Sequence, residues 1–172
     1  MWIWDKLIWL ITHAQTFASN WGYLGIFLVS LLASSSILLP FPSFIVIFSL
    51  GAVYNPFFVA LSGALGASIG NVTSYVLGLG GKEILEKRYE KKLIKIRETF
   101  GKYGAPLWIT IVNATPFPDD LVGIFCGIIK YDFKKYFLAM FLGQFILALI
   151  LAYSGFYSLT WILDFLQPRL GF

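Results

Sequence analysis

The sequence predicts an all-α membrane protein built as an inverted repeat: two opposed re-entrant helical hairpins, two long transmembrane helices, an N-terminal interfacial helix and a basic cytoplasmic helix. Three observations carry that expectation. Of the 172 residues 58% are hydrophobic, 19% aromatic and only 13% charged, about half the charge of an ordinary soluble domain. No Asp, Glu, Lys or Arg occurs from Leu7 to Gly81, far beyond the ~20 apolar residues of one crossing. The tripeptide Pro-Phe-Pro occurs twice, at Pro40 to Pro42 and Pro116 to Pro118, each time inside an apolar run. Proline lacks an amide hydrogen and clashes with the preceding turn, so each pair breaks a helix. Breaks at membrane depth persist only where protein or a water-filled cavity covers the freed backbone groups, and paired breaks in matching halves point to transport.

Residues 1–18 carry Trp2, Trp4 and Trp9 with Asp5 and Lys6. Indoles suit the headgroup boundary, and Asp5 interrupts the basic region a signal peptide needs, so this stretch reads as an interfacial helix with a solvated His13. Residues 21–80 form the first half: Trp21 to Leu39, the first break, Ser43 to Tyr54, the turn Asn55-Pro56, and a long span from Phe57 to Leu79 ended by Gly80-Gly81. The 12 residues from Ser43 to Tyr54 give about 18 Å of helix, too little for ~30 Å of hydrocarbon. Residues 82–102 hold eight of the thirteen Lys and Arg, interleaved with Glu at spacings such as Glu83 to Lys87, and read as a surface helix. Residues 104–163 form the second half: Ala105 to Thr115, the second break, Asp119 to Ile129, the polar turn Lys130-Tyr131-Asp132, and a final span from Tyr136 to about Leu163. All of this is expected to be a single membrane domain.

A shift of 76 positions superposes Pro40 on Pro116, Pro42 on Pro118, Val46 on Val122, Gly51 on Gly127 and Phe57 on Phe133. If each broken segment returns to its own side, 82–102 and 130–135 share one face holding eleven of the thirteen basic residues; the positive-inside rule makes that face cytoplasmic. If Ala105 to Ile129 crossed fully, Lys130, Lys134 and Lys135 would lie opposite the main basic helix. Charge placement favours the re-entrant arrangement.

The transport-path candidates are Asp119, Asp120, Asn113, Thr115, Ser35, Ser36, Ser43, Asn71 and Tyr75. A carboxylate at the bilayer centre costs ~2.5–3.5 kcal/mol on insertion scales and usually faces water or a partner. Against this, Pro118-Asp119-Asp120 is also a good helix start, since proline suits the first position and acids the first turn. The Ser, Thr and Asn side chains near the breaks have the alternative task of satisfying backbone groups freed by proline. Pro40, Pro42, Pro116 and Pro118 are the structural breaks, and Gly63, Gly66 and Gly70 form a close helix-packing face. Cys126 is the single cysteine, which excludes a disulfide framework and offers no metal set by itself. Gly78-Leu-Gly-Gly-Lys82 has the wrong spacing for a phosphate loop.

The Trp21-Gly-Tyr-Leu-Gly-Ile-Phe opening, Leu39-Pro-Phe-Pro-Ser43, Gly66-x-x-x-Gly70 with Tyr75 and Gly78, and the second proline break together resemble the DedA/VTT-domain family, the SNARE-associated Golgi protein group, over residues 21–160. The resemblance implies two facing re-entrant hairpins and movement of lipids between leaflets: phospholipids for scramblase-like members, polyprenyl-phosphate carriers for some prokaryotic ones, with proton coupling proposed for several. Family acidic positions are occupied here by Ser35 or Ser36, by Phe44 and by Asn71, and the arginines expected either side of the second break by Asn113 and Asp119. That substitution pattern leaves Asp119 and Asp120 as this chain's own charged groups at the second tip.

The expectation is therefore a lipid transporter, flippase or scramblase of a prokaryotic plasma (cytoplasmic) membrane, moving headgroups through a polar midplane cleft. Alternatives are a small-solute, ion or proton-coupled transporter or channel, and a structural protein whose basic helix binds anionic lipid or a partner. The chain is expected to be no enzyme, because no nucleophile and base stand at recognisable spacing, and to need no cofactor and no metal. Membrane lipids are its expected partners, without nucleic acid, and a homo-oligomer is admitted.

Overall fold

A computed structural model describes residues 2–35, 43–80, 104–115 and 119–170. Among these residues every regular element is helical. The order is α1 (Trp2–Ser35), α2 (Ser43–Gly51), α3 (Pro56–Gly80), α4 (Ala105–Asn113), α5 (Asp120–Ile128) and α6 (Phe133–Leu170). Ser36, Pro40, Pro42, Pro116, Pro118 and the basic segment 82–102 lie outside the described residues.

Local chemistry sets most boundaries. Gly22 sits at φ 57°, ψ −134° inside α1, a conformation glycine reaches without steric cost, and it kinks the helix there. The sequence predicts two helices separated near residues 19–20; the structure instead has one kinked helix. α3 starts at Pro56, with the Asn55 side-chain oxygen accepting from the Phe57 amide at 3.0 Å, a cap and a first-turn proline acting together. α6 begins at Phe133, three residues earlier than Tyr136, because the Asp132 carboxylate accepts from the Lys135 amide at 2.9 Å. The turn before it uses Lys130 at φ 50°.

The expected unbroken helix from Phe57 to Leu79 is interrupted. Its first stretch ends at Gly70, capped by Asn71. There the Thr73 hydroxyl donates to the Gly70 carbonyl and the Ser74 amide to the Asn71 carbonyl, a three-residue spacing that tightens the turn. The helical course then resumes to Gly80.

Two helices are long and apolar enough to cross a membrane, Pro56–Gly80 with 25 residues and Phe133–Leu159 with 27, about 37 and 40 Å at 1.5 Å per residue. α2, α4 and α5 have nine residues each, about 14 Å, less than half the ~30 Å hydrocarbon thickness.

Close backbone approach organises the packing. A Cβ on Gly66 would collide with the Phe27 carbonyl and one on Gly70 with the Leu31 carbonyl, so α1 and α3 run side by side in the same direction. α4 and α6 are likewise parallel: the Thr110 hydroxyl donates to the Ala139 carbonyl at 3.0 Å, and a Cβ on Gly143 would strike Thr110 and Asn113. α2 lies on α6, where Gly51 meets Ala152 and Gly155 meets Phe48, while α5 lies on the end of α3, where Gly127 and Gly78 meet. Gly63 faces the Ile47 side chain of α2.

Two apolar cores result. One gathers Ile26, Val29, Val46, Leu50, Val59, Ala64, Ala148 and Ala152; the other gathers Tyr75, Ile109, Cys126, Tyr131, Tyr136 and Met140. Along α3 the first core gives way to the second after residue 70, and along α6 the second gives way to the first after residue 140. α3 and α6 are thus antiparallel, and a layer belonging to neither core lies between.

Candidate functional site

That intervening layer is polar. Asn71 is 2% exposed and Gln144 8%, and their amide nitrogens converge on one carboxylate oxygen. Asn71 Nδ2 and Gln144 Nε2 both donate to Asp119 Oδ2, the latter at 2.6 Å. One turn beyond Asn71, Ser74 Oγ donates to Asp120 Oδ1 at 2.5 Å. Among the described residues no Lys, Arg or His pairs with either carboxylate. Both Asp residues are half-buried.

Depth follows from the helices that hold them. Asn71 stands about 22 Å from the Pro56 end of its span and about 14 Å from the Gly80 end; Gln144 stands about 16 Å from the Phe133 end and about 22 Å from the Leu159 end. The carboxylate of Asp119 is therefore tied to the middle of both long helices.

The helix-start reading of the two acids is separable here. Asp119 occupies the N-cap position of α5 but makes no side-chain cap bond. Its carboxylate is committed to other helices, 48 and 25 residues away in sequence. Asp120 sits in the first turn, where an acid interacts favourably with the helix dipole, and is also bonded to α3.

The other sequence candidates divide. Asn113 is 2% exposed, donates from Nδ2 to the Ile109 carbonyl at 2.7 Å, and leaves its buried Oδ1 without a partner. Ser35 and Thr115 donate to the Leu31 and Val112 carbonyls on their own helices, the local role proposed for them as an alternative. Ser43 is half-buried at the start of α2. Tyr75 has a partner away from the carboxylates: its hydroxyl donates to the Tyr131 carbonyl at 2.6 Å and its ring stacks on Tyr136.

Ser74 and Gln144 were not among the sequence candidates. Gln144 left a signal, being the one strongly polar side chain between Phe137 and Ala152. Ser74 left a weaker one, three residues after Asn71 and hence on the same helix face. Besides Asn113 Oδ1, the buried polar side-chain atoms without a partner among the described residues are Gln144 Oε1, Ser30 Oγ and Ser68 Oγ.

Two helices long and apolar enough to cross a membrane, joined near mid-length through the Asp119 carboxyl group, fit an integral membrane protein. The chain belongs to the VTT-domain (DedA) family, whose description it matches over residues 41–157. An uncharacterized protein of Methanocaldococcus jannaschii is 30% identical to it over 131 residues, covering 74% of this chain and 79% of that protein. No solved structure matches the chain. Family membership carries a membrane location and a transporter-like role.

Proposed function

We propose that the protein is a lipid flippase or scramblase of a prokaryotic plasma membrane, passing headgroups through the polar layer at Asp119 and Asp120 while the acyl chains stay in hydrocarbon. The observation that carries this reading is the Asp119 carboxyl group tied to the middle of both long helices, with Asp120 beside it bonded to α3. Charges at that depth are costly and mark pathways.

We infer further that α1–α2 and α4–α5 are re-entrant hairpins of an inverted repeat. α1 and α3 run in the same direction, so the chain must return between them, and α2 is too short to do so across the bilayer. The same holds for α4, α5 and α6. Each short returning helix packs on the long helix of the opposite half, Gly51 on Ala152 and Gly127 on Gly78, the exchange an inverted repeat predicts. The Gly80 end of α3 and residues 130–135 lie at the same end of the two antiparallel long helices, and the basic residues of 130–135 make that face cytoplasmic.

An open apolar groove of about 270 Å³, lined by Trp108, Ile109, Val112, Leu121, Val122 and Phe125, runs between α4 and α5. It begins one residue from Asp120 and would hold an acyl chain beside a headgroup at the carboxylates.

The test is reconstitution of the full chain in liposomes containing lipids labelled on the headgroup side, with a membrane-impermeant quencher added outside. Transport predicts loss of more than the outer-leaflet half of the signal, slowed at least tenfold by Asp120→Asn. Quenching that stops at half for every headgroup tried would refute the reading.

A further inference from the structure

We infer that the polar layer binds a monovalent cationic group, either the ammonium of a lipid headgroup or a free alkali ion, through Asp119, Asp120 and the side-chain oxygen of Gln144. The ammonium form deepens the lipid-transport reading and rests on it; the free-ion form does not.

Neutral groups hold the two acids. Asn71 Nδ2, Gln144 Nε2 and Ser74 Oγ each donate to a carboxylate oxygen, and all three are neutral. They orient the two carboxyl groups without supplying a counter-charge, and a carboxylate held away from water is normally paired or binds a cation.

Gln144 supplies an independent indication. Its residue is 8% exposed and Oε1 is buried without a partner. Because an amide joins a C=O of about 1.23 Å to a C–N of about 1.33 Å, its oxygen lies about 2.2 Å from its nitrogen. With Nε2 2.6 Å from Asp119 Oδ2, Oε1 is held within about 5 Å of that carboxylate. An unmet acceptor beside a carboxylate, on an amide whose other end is anchored, offers a place to a donor or a cation. Asn113 adds a second buried oxygen without a partner, on a side chain whose Cβ lies against Gly143, next to Gln144.

A phosphate arriving at this layer would meet two carboxyl groups and, among the described residues, no Lys, Arg or His paired with them. An ammonium brings three donors, and an alkali ion takes oxygen ligands of this type, as hard cations do. The shared chemistry is a compact positive charge ringed by carboxylate and amide oxygens.

The experiment measures thermal unfolding of the full chain in detergent with ethanolamine hydrochloride, sodium chloride or tetraethylammonium chloride at equal ionic strength, beside liposome transfer of ethanolamine-headgroup and glycerol-headgroup lipids. At tenfold excess over its dissociation constant, a ligand of the folded state shifts the folding equilibrium about elevenfold. Stabilisation by ethanolamine above sodium, with transfer favouring the ethanolamine lipid at least fivefold, assigns the lipid ammonium. Stabilisation by sodium above ethanolamine assigns the free ion. Either shift should disappear in Asp119→Asn and Gln144→Leu and strengthen in Gln144→Glu, which adds a carboxylate where the unmet oxygen lies. Equal unfolding in all three salts with no headgroup preference overturns the cation site and leaves lipid transport standing. Stabilisation without any lipid transfer removes the transport reading and leaves the cation site standing.

Discussion

Replacing Gln144 by Leu keeps the side chain close in volume while deleting one of the two amide donors that hold Asp119. Hydrogen bonds to charged groups contribute about 1.5–3 kcal/mol in water-soluble proteins, whereas interhelical bonds in membranes average about 0.6 and reach about 1.7 kcal/mol. The 2.6 Å length and carboxylate acceptor place this bond near the membrane maximum. The single substitution conceals that value, because it also removes the unpartnered Oε1, whose burial costs about 1–3 kcal/mol. Gln144→Leu by itself should therefore change stability by less than about 1 kcal/mol. A double-mutant cycle with Asp119→Ala isolates the contact, and the expected coupling is about 1–1.5 kcal/mol, read from reversible unfolding in mixed micelles. The same variants in liposomes should lose transport more than stability, since the carboxyl group keeps Asn71 as its one side-chain donor among the described residues. A coupling under about 0.3 kcal/mol would refute the inference that α6 is tied to the second tip through this carboxylate.

Other predictions follow from neighbouring contacts. Gly78→Val should destabilise by at least about 2 kcal/mol, because a Cβ there collides with the Ile124 carbonyl and overpacking costs about 1–3 kcal/mol; Gly80→Ala, with nothing within 4 Å, should be nearly neutral in the same melts. Tyr75→Phe should cost about 1 kcal/mol by removing the bond to the Tyr131 carbonyl, with lipid transfer within twofold of wild type. Ser35→Ala and Thr115→Ala, whose hydroxyls bond carbonyls of their own helices, should slow transfer far less than Asn71→Ala. Cys126 is fully buried and should resist a membrane-permeant maleimide in the folded protein, reacting only on unfolding.

The helical elements were legible because their causes are local. Pro56 after Asn55, Asp132 three residues before Lys135, and the charge-free run to Gly81 each act within a turn or a window of sequence. Boundaries failed where one residue's backbone decides: Gly22 kinks α1 rather than ending it, and Asn71 interrupts a helix that hydropathy alone reads as continuous. The candidate site was half visible. Two adjacent acids after a broken helix identified Asp119 and Asp120, and the missing family carboxylate drew attention to Asn71. Gln144 and Ser74 were overlooked, since a lone Gln or Ser in a membrane helix has many local explanations.

The sequence by itself determined that this chain is an α-helical membrane protein of the VTT-domain family, because hydrophobicity, proline breaks and motif spacing act along the chain. Only the tertiary structure decided what the two acids do with their oxygens. Whether Asp119 capped its own helix or bridged two others depended on which side chains packing brought within 3 Å, and its partners lie 48 and 25 residues away. Hydrogen bonds of that separation follow from the helix-to-helix register set by small residues such as Gly143, Gly127 and Gly78, and no local pattern encodes that register.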